Sequence, residues 1–337
     1  MHLMLAQDHG VGSVEEGAAR AAENALTALA AARAALGTVI FGQDQVVEEV
    51  LVSILSGGHG LLVGLPGLAK TRLVDALGTV LGLDARRVQF TPDLMPADIL
   101  GSEVLEEGQG GRRAFRFVRG PIFAQLLMAD EINRASPRTQ SALLQAMQEL
   151  HVTVAGERHD LPRPFHVLAT QNPIEQEGTY PLPEAQLDRF LMQIDVLYPD
   201  RASEKRVLIE TTGDREVVAK PAMTAEELSG IQRLVRRLPV GDSIVEAILD
   251  LVRSARPGED AALTKLIAWG PGPRAAQALM LACRARALIQ GRLSPSIDDV
   301  AALALPVLKH RMALNFAARA EGETVPAIVE RLVGRLG

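Results

Sequence analysis

The sequence predicts an α/β fold: a parallel sheet flanked by helices, with β-hairpin insertions, followed by an all-helical domain. Short apolar runs alternate with helical stretches between residues 38 and 200, a pattern typical of parallel strands buried on both faces. Two glycine-containing loops in this stretch lie between strand-like runs, which indicates hairpins. After Pro199 the strand signals end and helical patterns broken by proline and glycine continue to the end of the chain.

The elements follow in chain order. An Ala- and Leu-rich stretch, Val14–Leu36, predicts a helix, so residues 1–37 are expected to form an N-terminal helical extension. Residues 38–200 form the predicted α/β domain, with strands expected at Gly60–Val63, Arg87–Phe90, Gln125–Ala129, Phe165–Thr170 and Met192–Val196 and a helix expected at Lys70–Leu81. The hairpin arms are expected at Ser102–Glu107 with Arg113–Arg119, around Gly108–Gly111, and at His151–Val154 with Arg158–Leu161. Residues 201–337 form the predicted helical domain, with helices expected at Ser203–Glu210, Ala225–Arg237, Ser243–Ala255, Arg274–Ile289, Ile297–Leu308 and Val325–Leu336.

Composition excludes several classes of protein. The 337 residues carry a net charge of −6 and only 3% aromatic residues, which argues against a protein held mainly by nucleic-acid phosphates or base stacking. Cys283 is the only cysteine, so an intrachain disulfide and a cysteine-based metal cluster are excluded. Met1–Gly10 lacks the pattern of a secretory signal, and no apolar run reaches about 18 residues. The sequence therefore predicts a cytoplasmic protein without a membrane segment.

A phosphate-binding loop is predicted where the first strand meets the first helix of the α/β domain. Such a loop needs inward-pointing backbone N–H groups, a lysine at the outer phosphates and a hydroxyl group for Mg²⁺. Gly64 and Gly67 would form the turn, Lys70 would supply the cation and Thr71 the hydroxyl. Ala69 occupies a position where glycine is usual. Alanine is acceptable there if the residue has right-handed helical dihedral angles, and unfavourable if it needs positive φ. A glycine-rich turn without a ligand is the alternative.

Two adjacent carboxylates end a predicted buried strand, in Leu126–Glu131. Asp130 could hold Mg²⁺ through water, and Glu131 could take a proton from an attacking water molecule. An acidic strand-to-helix turn without chemistry would be equally plausible if no phosphate loop preceded it. The two motifs in this order predict binding of ATP with Mg²⁺ and its hydrolysis. Asn172, at the end of the next predicted strand, could hold the attacking water or contact the terminal phosphate, although an Asn-Pro pair alone marks a turn.

Several stretches together resemble the MoxR family of AAA+ ATPases, over about residues 38–310. These stretches are Phe41–Gln43, Gly64–Thr71, Phe90–Leu94, Ala129–Ala135, Ala169–Pro173 and Glu175–Phe190. The resemblance implies a P-loop AAA+ domain with a helical lid, and a homo-oligomeric ring, expected to be a hexamer. Ala69 is usual in the phosphate loop of this family, in which Pro66 and Leu68 are also expected to border the nucleotide.

The resemblance also implies roles for residues outside the two motifs. Arg189 matches an arginine finger that reaches into the neighbouring subunit's site, and Arg274 matches the sensor 2 arginine of the lid. Phe41, Gly42 and Gln43 match the segment that lines the adenine pocket. The two hairpins match family insertions that often face the axial channel of the ring. Taken alone, either arginine could be a solvated residue or an ion-pair partner, such as Arg189 with Asp188 or Glu184.

Three functions are compatible with these observations. The first is a chaperone-like ATPase that remodels, matures or activates a client protein or complex, a role in which MoxR relatives commonly act with proteins carrying a von Willebrand factor A domain. The second is a DNA-acting AAA+ motor or a transcription regulator, which would need a basic patch, aromatic stacking residues or a DNA-reading module that the sequence does not show. The third is a nucleotide-gated scaffold with little hydrolysis, against which Glu131 and Arg189 argue.

Overall fold

The computed structural model of the protein describes residues 9–107, 113–174, 178–214, 217–258, 263 and 265–336, with side chains from Arg20 onward. The predicted hairpin loop Gly108–Gly111 and the motif residues Glu175–Glu177 lie outside these ranges, as do residues 1–8 of the predicted N-terminal extension. Within the described ranges, no helix combines the length and the apolar character needed to cross a bilayer.

A five-stranded parallel sheet forms the centre of the α/β domain, as predicted. The strands of the described chain are β1 (Gly60–Gly64), β2 (Ala85–Gln89), β3 (Gly101–Glu107), β4 (Arg113–Arg119), β5 (Leu126–Asp130), β6 (His151–Val154), β7 (Glu157–Asp160), β8 (His166–Gln171), β9 (Met192–Val196), β10 (Ile267–Trp269) and β11 (Ala313–Leu314). The order across the sheet is β2-β5-β8-β1-β9. Strand β1, which leads into the predicted phosphate loop, therefore lies between two parallel neighbours, and β2 lies at one edge.

The helices cover both faces of this sheet and make up most of the C-terminal domain. They are α1 (His9–Gly37), α2 (Asp44–Leu55), α3 (Lys70–Val80), α4 (Pro96–Leu100), α5 (Pro137–Glu149), α6 (Glu184–Leu187), α7 (Arg201–Thr211), α8 (Ala225–Arg237), α9 (Asp242–Ser254), α10 (Pro273–Ile289), α11 (Ile297–Leu308), α12 (Phe316–Ala320) and α13 (Val325–Val333). Local sequence explains where several begin. Thr224 and Glu227 form a capping box at the start of α8, and Ser136 caps α5 just before a proline in its first turn.

Alternate residues of the central strands enter two separate hydrophobic clusters. Leu62 and Met128 belong to a cluster that continues into the helical domain, whereas Leu61 and Leu127 belong to the cluster under α5 and the hairpins. This period of two is the reason the strands read as continuous apolar runs, since each face is buried. The predicted domain boundaries at residues 37/38 and 200/201 fall between elements, but the first cluster extends across them. They stay a prediction.

Both predicted hairpins are present as antiparallel insertions. Strands β3 and β4 pair in register from Gly101 opposite Arg119 to Glu107 opposite Arg113, and β6 pairs with β7. The rings of Phe117 and His159 stack with centroids 4.0 Å apart, which joins one hairpin to the other.

The C-terminal domain is helical, as predicted, but it is not all-helical. Ile267–Trp269 and Ala313–Leu314 form a short antiparallel pair between α9 and α10 and after α11. The sequence pattern gave no sign of it, because strands of two or three residues are too short to show an alternation. The partners are also more than forty positions apart along the chain.

Candidate active site

The predicted phosphate loop connects the end of β1 to the first residue of α3. Gly67 has a φ of +84°, in the left-handed region that favours glycine. Gly64 packs so closely against β9 that a Cβ there would come within 2.5 Å of the Val196 carbonyl oxygen. Both glycines are therefore required by the backbone path of the turn. The loop leads directly into the N-terminus of α3, where no described side chain caps the N–H groups of the first turn.

Ala69 adopts the less favourable of the two conformations considered from the sequence. Its φ of 57° and ψ of 20° place it in the left-handed helical region, just before the first residue of α3. A non-glycine residue in this region costs about 1–2 kcal/mol. Backbone strain of this kind is typical of functional loops, where the surrounding structure holds the residue in place.

Lys70 folds back over the loop that precedes it. Its Nζ donates to the carbonyl oxygens of Gly64, at 2.6 Å, and Leu65, at 2.7 Å. Burial lowers the pKa of Lys70, while the charges of Asp130 and Glu131 act in the opposite direction. The ammonium group is thus held at the centre of the turn, next to both acidic residues.

Asp130, at the end of β5, is bound through both carboxylate oxygens. The hydroxyl of Thr170, on β8, donates to Oδ1 at 2.5 Å. Arg87, on β2, donates to Oδ2 from Nε at 3.1 Å and from Nη2 at 2.6 Å. The side chain of Asp130 is largely buried, so these partners take the place of water around its charge.

Glu131 directs its carboxylate into the cleft from a left-handed backbone, with φ of 55°. Its N–H donates to Thr170 Oγ1 at 2.8 Å, so one hydroxyl connects the backbone of Glu131 with the carboxylate of Asp130. Gln89 donates to Glu131 Oε2 at 2.7 Å, and Arg134 Nη1 lies 3.3 Å from the same oxygen. These contacts fix the direction in which the carboxylate points.

Sequence reasoning missed Arg87, Gln89 and Thr170 as members of this site. Arg87 and Gln89 lie on the same face of β2, two residues apart, and Thr170 is one residue before the end of β8. Polar side chains on a predicted strand next to the acidic strand were the available signal. The signal could not be used without the strand order, because only neighbouring strands bring such residues together.

The two motifs meet around one cleft of about 470 Å³. Asn172, 6% exposed, also reaches it, and its Oδ1 accepts a hydrogen bond from the N–H of Ile174 at 3.2 Å. The cleft is lined by Pro66, Gly67, Leu68, Ala69, Lys70, Thr71, Arg72, Arg87, Gln89, Asp130, Glu131, Thr170 and Asn172. A larger groove of about 690 Å³ between α1 and α8 is lined mainly by apolar side chains and offers no comparable chemistry.

The donor set of the cleft suits Mg²⁺ and a chain of phosphates. Among the described residues, no group of three or more His, Cys, Asp or Glu side chains could hold a metal ion alone. The cleft instead offers the Thr71 hydroxyl, the Asp130 carboxylate and the loop at the start of α3. Mg²⁺ is commonly held by one or two carboxylates together with water and substrate phosphates, so these residues fit it.

Comparisons with known proteins agree with this geometry. Residues 59–192 match the ATPase family associated with various cellular activities (AAA), and residues 260–332 match the AAA lid domain. Chaperone MoxR1 of Mycobacterium tuberculosis is 41% identical over 298 residues, which cover 88% of this chain and 78% of that protein. The chain belongs to the MoxR family of AAA+ ATPases. Protein MoxR of Paracoccus denitrificans is 33% identical over 89% of this chain and 93% of its own length.

A solved structure shows the same architecture over nearly the whole chain. The crystal structure of a candidate ATPase from Cytophaga hutchinsonii superposes with a TM-score of 0.87 at 35% identity. The match covers 98% of this chain and 99% of that one. This MoxR-family chain is therefore an ATPase with a AAA domain followed by a helical lid.

Arg189 lies outside the phosphate cleft of this MoxR-family chain. It borders a separate recess of about 320 Å³, lined by Ser141, Gln145, Gln148, Glu149, Gln186 and Arg189. Its guanidinium group forms no ion pair with any described residue, and Asp188, considered above as a partner, pairs with Arg274 and Arg311 instead. The ion-pair alternative for Arg189 thus finds no support among the described residues.

Arg274 is at the start of α10, as predicted, but it is not among the residues that line the cleft. Its Nη1 lies 3.4 Å from Asp188 Oδ2. The buried Arg311 donates to the other oxygen of Asp188 at 2.7 Å and to the carbonyl of Phe190 at 2.6 Å. Two arginines of the lid therefore contact the short segment that carries Arg189.

The predicted adenine segment also lies apart from the phosphate cleft. Gly42 has a φ of +67°, and a Cβ there would come within 2.4 Å of Ser203, so only glycine fits. Gln43 donates to the carbonyl of Leu197 at 2.8 Å. The guanidinium of Arg206, on α7, lies over the ring of Phe41 at 4.4 Å from its centroid. The segment is thus tightly packed against the start of the helical domain.

Proposed function

We propose that this MoxR-family ATPase hydrolyses ATP with Mg²⁺ at the subunit interfaces of a homohexameric ring and so drives the remodelling, maturation or activation of a client protein or complex. The main support for this proposal is the placement of the charged side chains in this chain. Lys70, Asp130 and Glu131 surround one cleft, whereas Arg189 borders a different recess and is not paired with a described acid. An arginine from a second subunit would add its positive charge to that of Lys70 at the transferring phosphoryl group.

Within the cleft, each group has a separate task in the proposal. Lys70 would contact the outer phosphates, and Thr71 with Asp130 would hold Mg²⁺, which supplies electrostatic stabilisation of the phosphoryl group when bound. Glu131 would accept the proton of the attacking water, and Asn172 would orient that water or contact the terminal phosphate. Gln89 and Arg134 already hold one oxygen of Glu131, so its carboxylate approaches the water from a fixed direction.

The client-handling part of the proposal is supported by the β3–β4 hairpin. Val104, Leu105, Phe115 and Val118 all expose apolar side chains on it, and Phe115 is 70% exposed. Leu105 and Phe115 lie directly opposite each other across the two strands, and neighbouring exposed apolar groups of this kind are typical of interaction surfaces. A relative named a chaperone agrees with a protein client. We further propose a partner with a von Willebrand factor A domain and a cytoplasmic location, both on the strength of family membership.

Two variants test the chemistry. Lys70→Ala should lose most nucleotide affinity, because it removes the cation aimed at the outer phosphates. Glu131→Gln should bind ATP but scarcely hydrolyse it, because the amide cannot accept the proton. Fluorescent nucleotide titration and phosphate release measure the two properties. Normal ATP affinity in Lys70→Ala, or normal turnover in Glu131→Gln, would contradict the assigned roles.

A mixing experiment tests the ring. Arg189→Ala and Glu131→Gln subunits should each be nearly inactive, and their mixture should recover part of the ATPase activity. Some interfaces would then combine an intact Glu131 with an intact Arg189 from the next subunit, and a trans-acting arginine can contribute about 10³–10⁵ in rate. No recovery despite co-assembly shown by native mass spectrometry would count against action in trans. Salt-dependent DNA binding by the wild-type protein would favour the DNA-acting alternative instead.

A further inference from the structure

Arg87 occupies the carboxylate oxygen that a metal ion at this site would need. Two of its nitrogens, Nε and Nη2, donate to Asp130 Oδ2 at 3.1 and 2.6 Å. The other oxygen, Oδ1, already accepts the hydroxyl hydrogen of Thr170. Each Asp130 oxygen therefore has a partner from the chain itself, and one of those partners is a cation.

The position of Arg87 allows its side chain to move away from Asp130. It is on the edge strand β2, and its side chain is 48% exposed at the rim of the cleft, whereas that of Asp130 is only 12% exposed. Its Nη2 also donates to Gln89 Oε1 at 2.8 Å, so a polar partner remains nearby if the contact with Asp130 breaks. A half-exposed arginine can exchange this partner for water at little cost.

Arg87 and Mg²⁺ compete for Oδ2 of Asp130, whether the ion would contact this oxygen directly or through one of its waters, because Nε and Nη2 of Arg87 already donate to it. The two cations would repel each other across a few ångströms, in a cleft where water screens them less than in bulk solvent. Mg²⁺ alone brings only its own charge and tightly held waters. Mg²⁺ with a nucleotide brings phosphate oxygens as additional ligands, and these make displacement of the arginine favourable.

We propose that Arg87 is a removable counter-ion of Asp130, which makes occupation of the Mg²⁺ site depend on the nucleotide. Arg87 competes with Mg²⁺ for Oδ2 and gives the carboxylate up when Mg²⁺ arrives with phosphates. It is a positioning residue, since it acts through Asp130. The inference rests on the proposed function, because it assumes that Asp130 serves Mg²⁺.

The test compares Arg87→Met with Arg86→Met. Arg86 is the adjacent residue on the opposite face of β2 and is similarly exposed. Among the described residues its ion-pair partner is Asp84, at 3.9 Å. Each variant removes one positive charge and keeps most of the aliphatic chain. Binding of fluorescent (mant) ADP is titrated once with EDTA and once with excess MgCl₂, and the ratio of the two dissociation constants gives the benefit of Mg²⁺. Because ADP carries less negative charge with Mg²⁺ than without it, the loss of a nearby positive charge can change this ratio by itself, and Arg86→Met measures that general contribution.

We expect the benefit of Mg²⁺ to increase about two- to fivefold in Arg87→Met, the range that follows from the measured worth of half-exposed ion pairs. Arg86→Met should match the wild type, and Arg87→Lys, which keeps the charge but loses the two-nitrogen contact, should show a smaller increase. If circular dichroism shows that Arg87→Met does not fold, the ratio measured for Arg87→Lys tests the inference in its place.

An unchanged ratio in both Arg87 variants would overturn the inference and leave Arg87 a structural residue. A smaller ratio would also overturn it, since Arg87 would then help to hold the metal or the phosphates. A wild-type protein that binds no ADP under either condition would refute the proposed function itself. The two failures are therefore distinguishable.

Discussion

Replacing Thr170 with valine removes one hydroxyl group and changes the shape of the side chain very little. That hydroxyl donates to Asp130 Oδ1 at 2.5 Å and accepts from the N–H of Glu131 at 2.8 Å. Thr170 is 1% exposed, so water cannot readily take its place. In Thr170→Val, a carboxylate oxygen and a backbone N–H both lose their partner.

The size of the effect follows from these two contacts. A hydrogen bond to a charged group contributes about 1.5–3 kcal/mol and a neutral one about 0.5–1.5 kcal/mol. We therefore expect the free energy of unfolding to fall by about 2–4.5 kcal/mol, the sum of the two ranges. Both acidic residues also lose a group that orients them, and the loss of such supporting contacts around a metal site typically reduces activity about 10–100-fold.

Urea unfolding followed by circular dichroism measures the first effect, and steady-state phosphate release measures the second. Thr170→Ser is the matched control, since it keeps the hydroxyl and removes only a methyl group, and its ATPase activity should stay near that of the wild type. If Thr170→Val retains wild-type activity while Thr170→Ser loses it, packing of the methyl group matters and the hydrogen-bond argument is refuted.

Three further predictions concern other buried or paired groups. Burial lowers the pKa of His166 to about 4, so below about pH 6.5 this imidazole takes up a proton in the unfolded chain but not in the folded one. The free energy of unfolding should therefore fall by up to about 1.4 kcal/mol per pH unit between about pH 6.5 and 4. A His166→Gln variant should reduce that slope in urea titrations at several pH values. Arg311→Met should lower the free energy of unfolding by about 3 kcal/mol, because it leaves Asp188 and several carbonyl groups without their buried donor; an unchanged urea midpoint would contradict this. We also propose that Arg274 couples the helical lid to the bound phosphates within its own subunit. Arg274→Ala breaks a half-exposed pair with Asp188, so stability should change by less than about 1 kcal/mol, whereas ATP turnover or nucleotide affinity should fall. Wild-type turnover and affinity would contradict this role.

Much of the candidate site could be predicted because its main groups are local in sequence. The phosphate loop is eight consecutive residues between a strand and a helix, and Asp130 and Glu131 end an apolar run. Each pattern is set by short-range requirements, such as positive φ at Gly67 or a helix N-terminus after it. Parallel strands then bring their carboxyl ends to one edge of the sheet, so the two motifs were expected to meet.

Other features depend on which strands are neighbours, and the sequence does not determine that locally. Pairing of β2 with β5 places Gln89 opposite Asp130 and lets Arg87 reach it from 43 positions away, and pairing of β5 with β8 brings Thr170 there. The dihedral angles of Ala69 were likewise left open by the sequence.

The sequence by itself therefore determined the fold class, the phosphate loop and the acidic pair, since periodic burial and short motifs record local constraints. The tertiary structure decided how the acidic pair is held, where Arg189 and Arg274 lie, and that β10 pairs with β11. These features arise from contacts between residues distant in the chain. Such contacts form because the whole sheet and its helices must bury their apolar faces together, a requirement that no single segment of the sequence expresses.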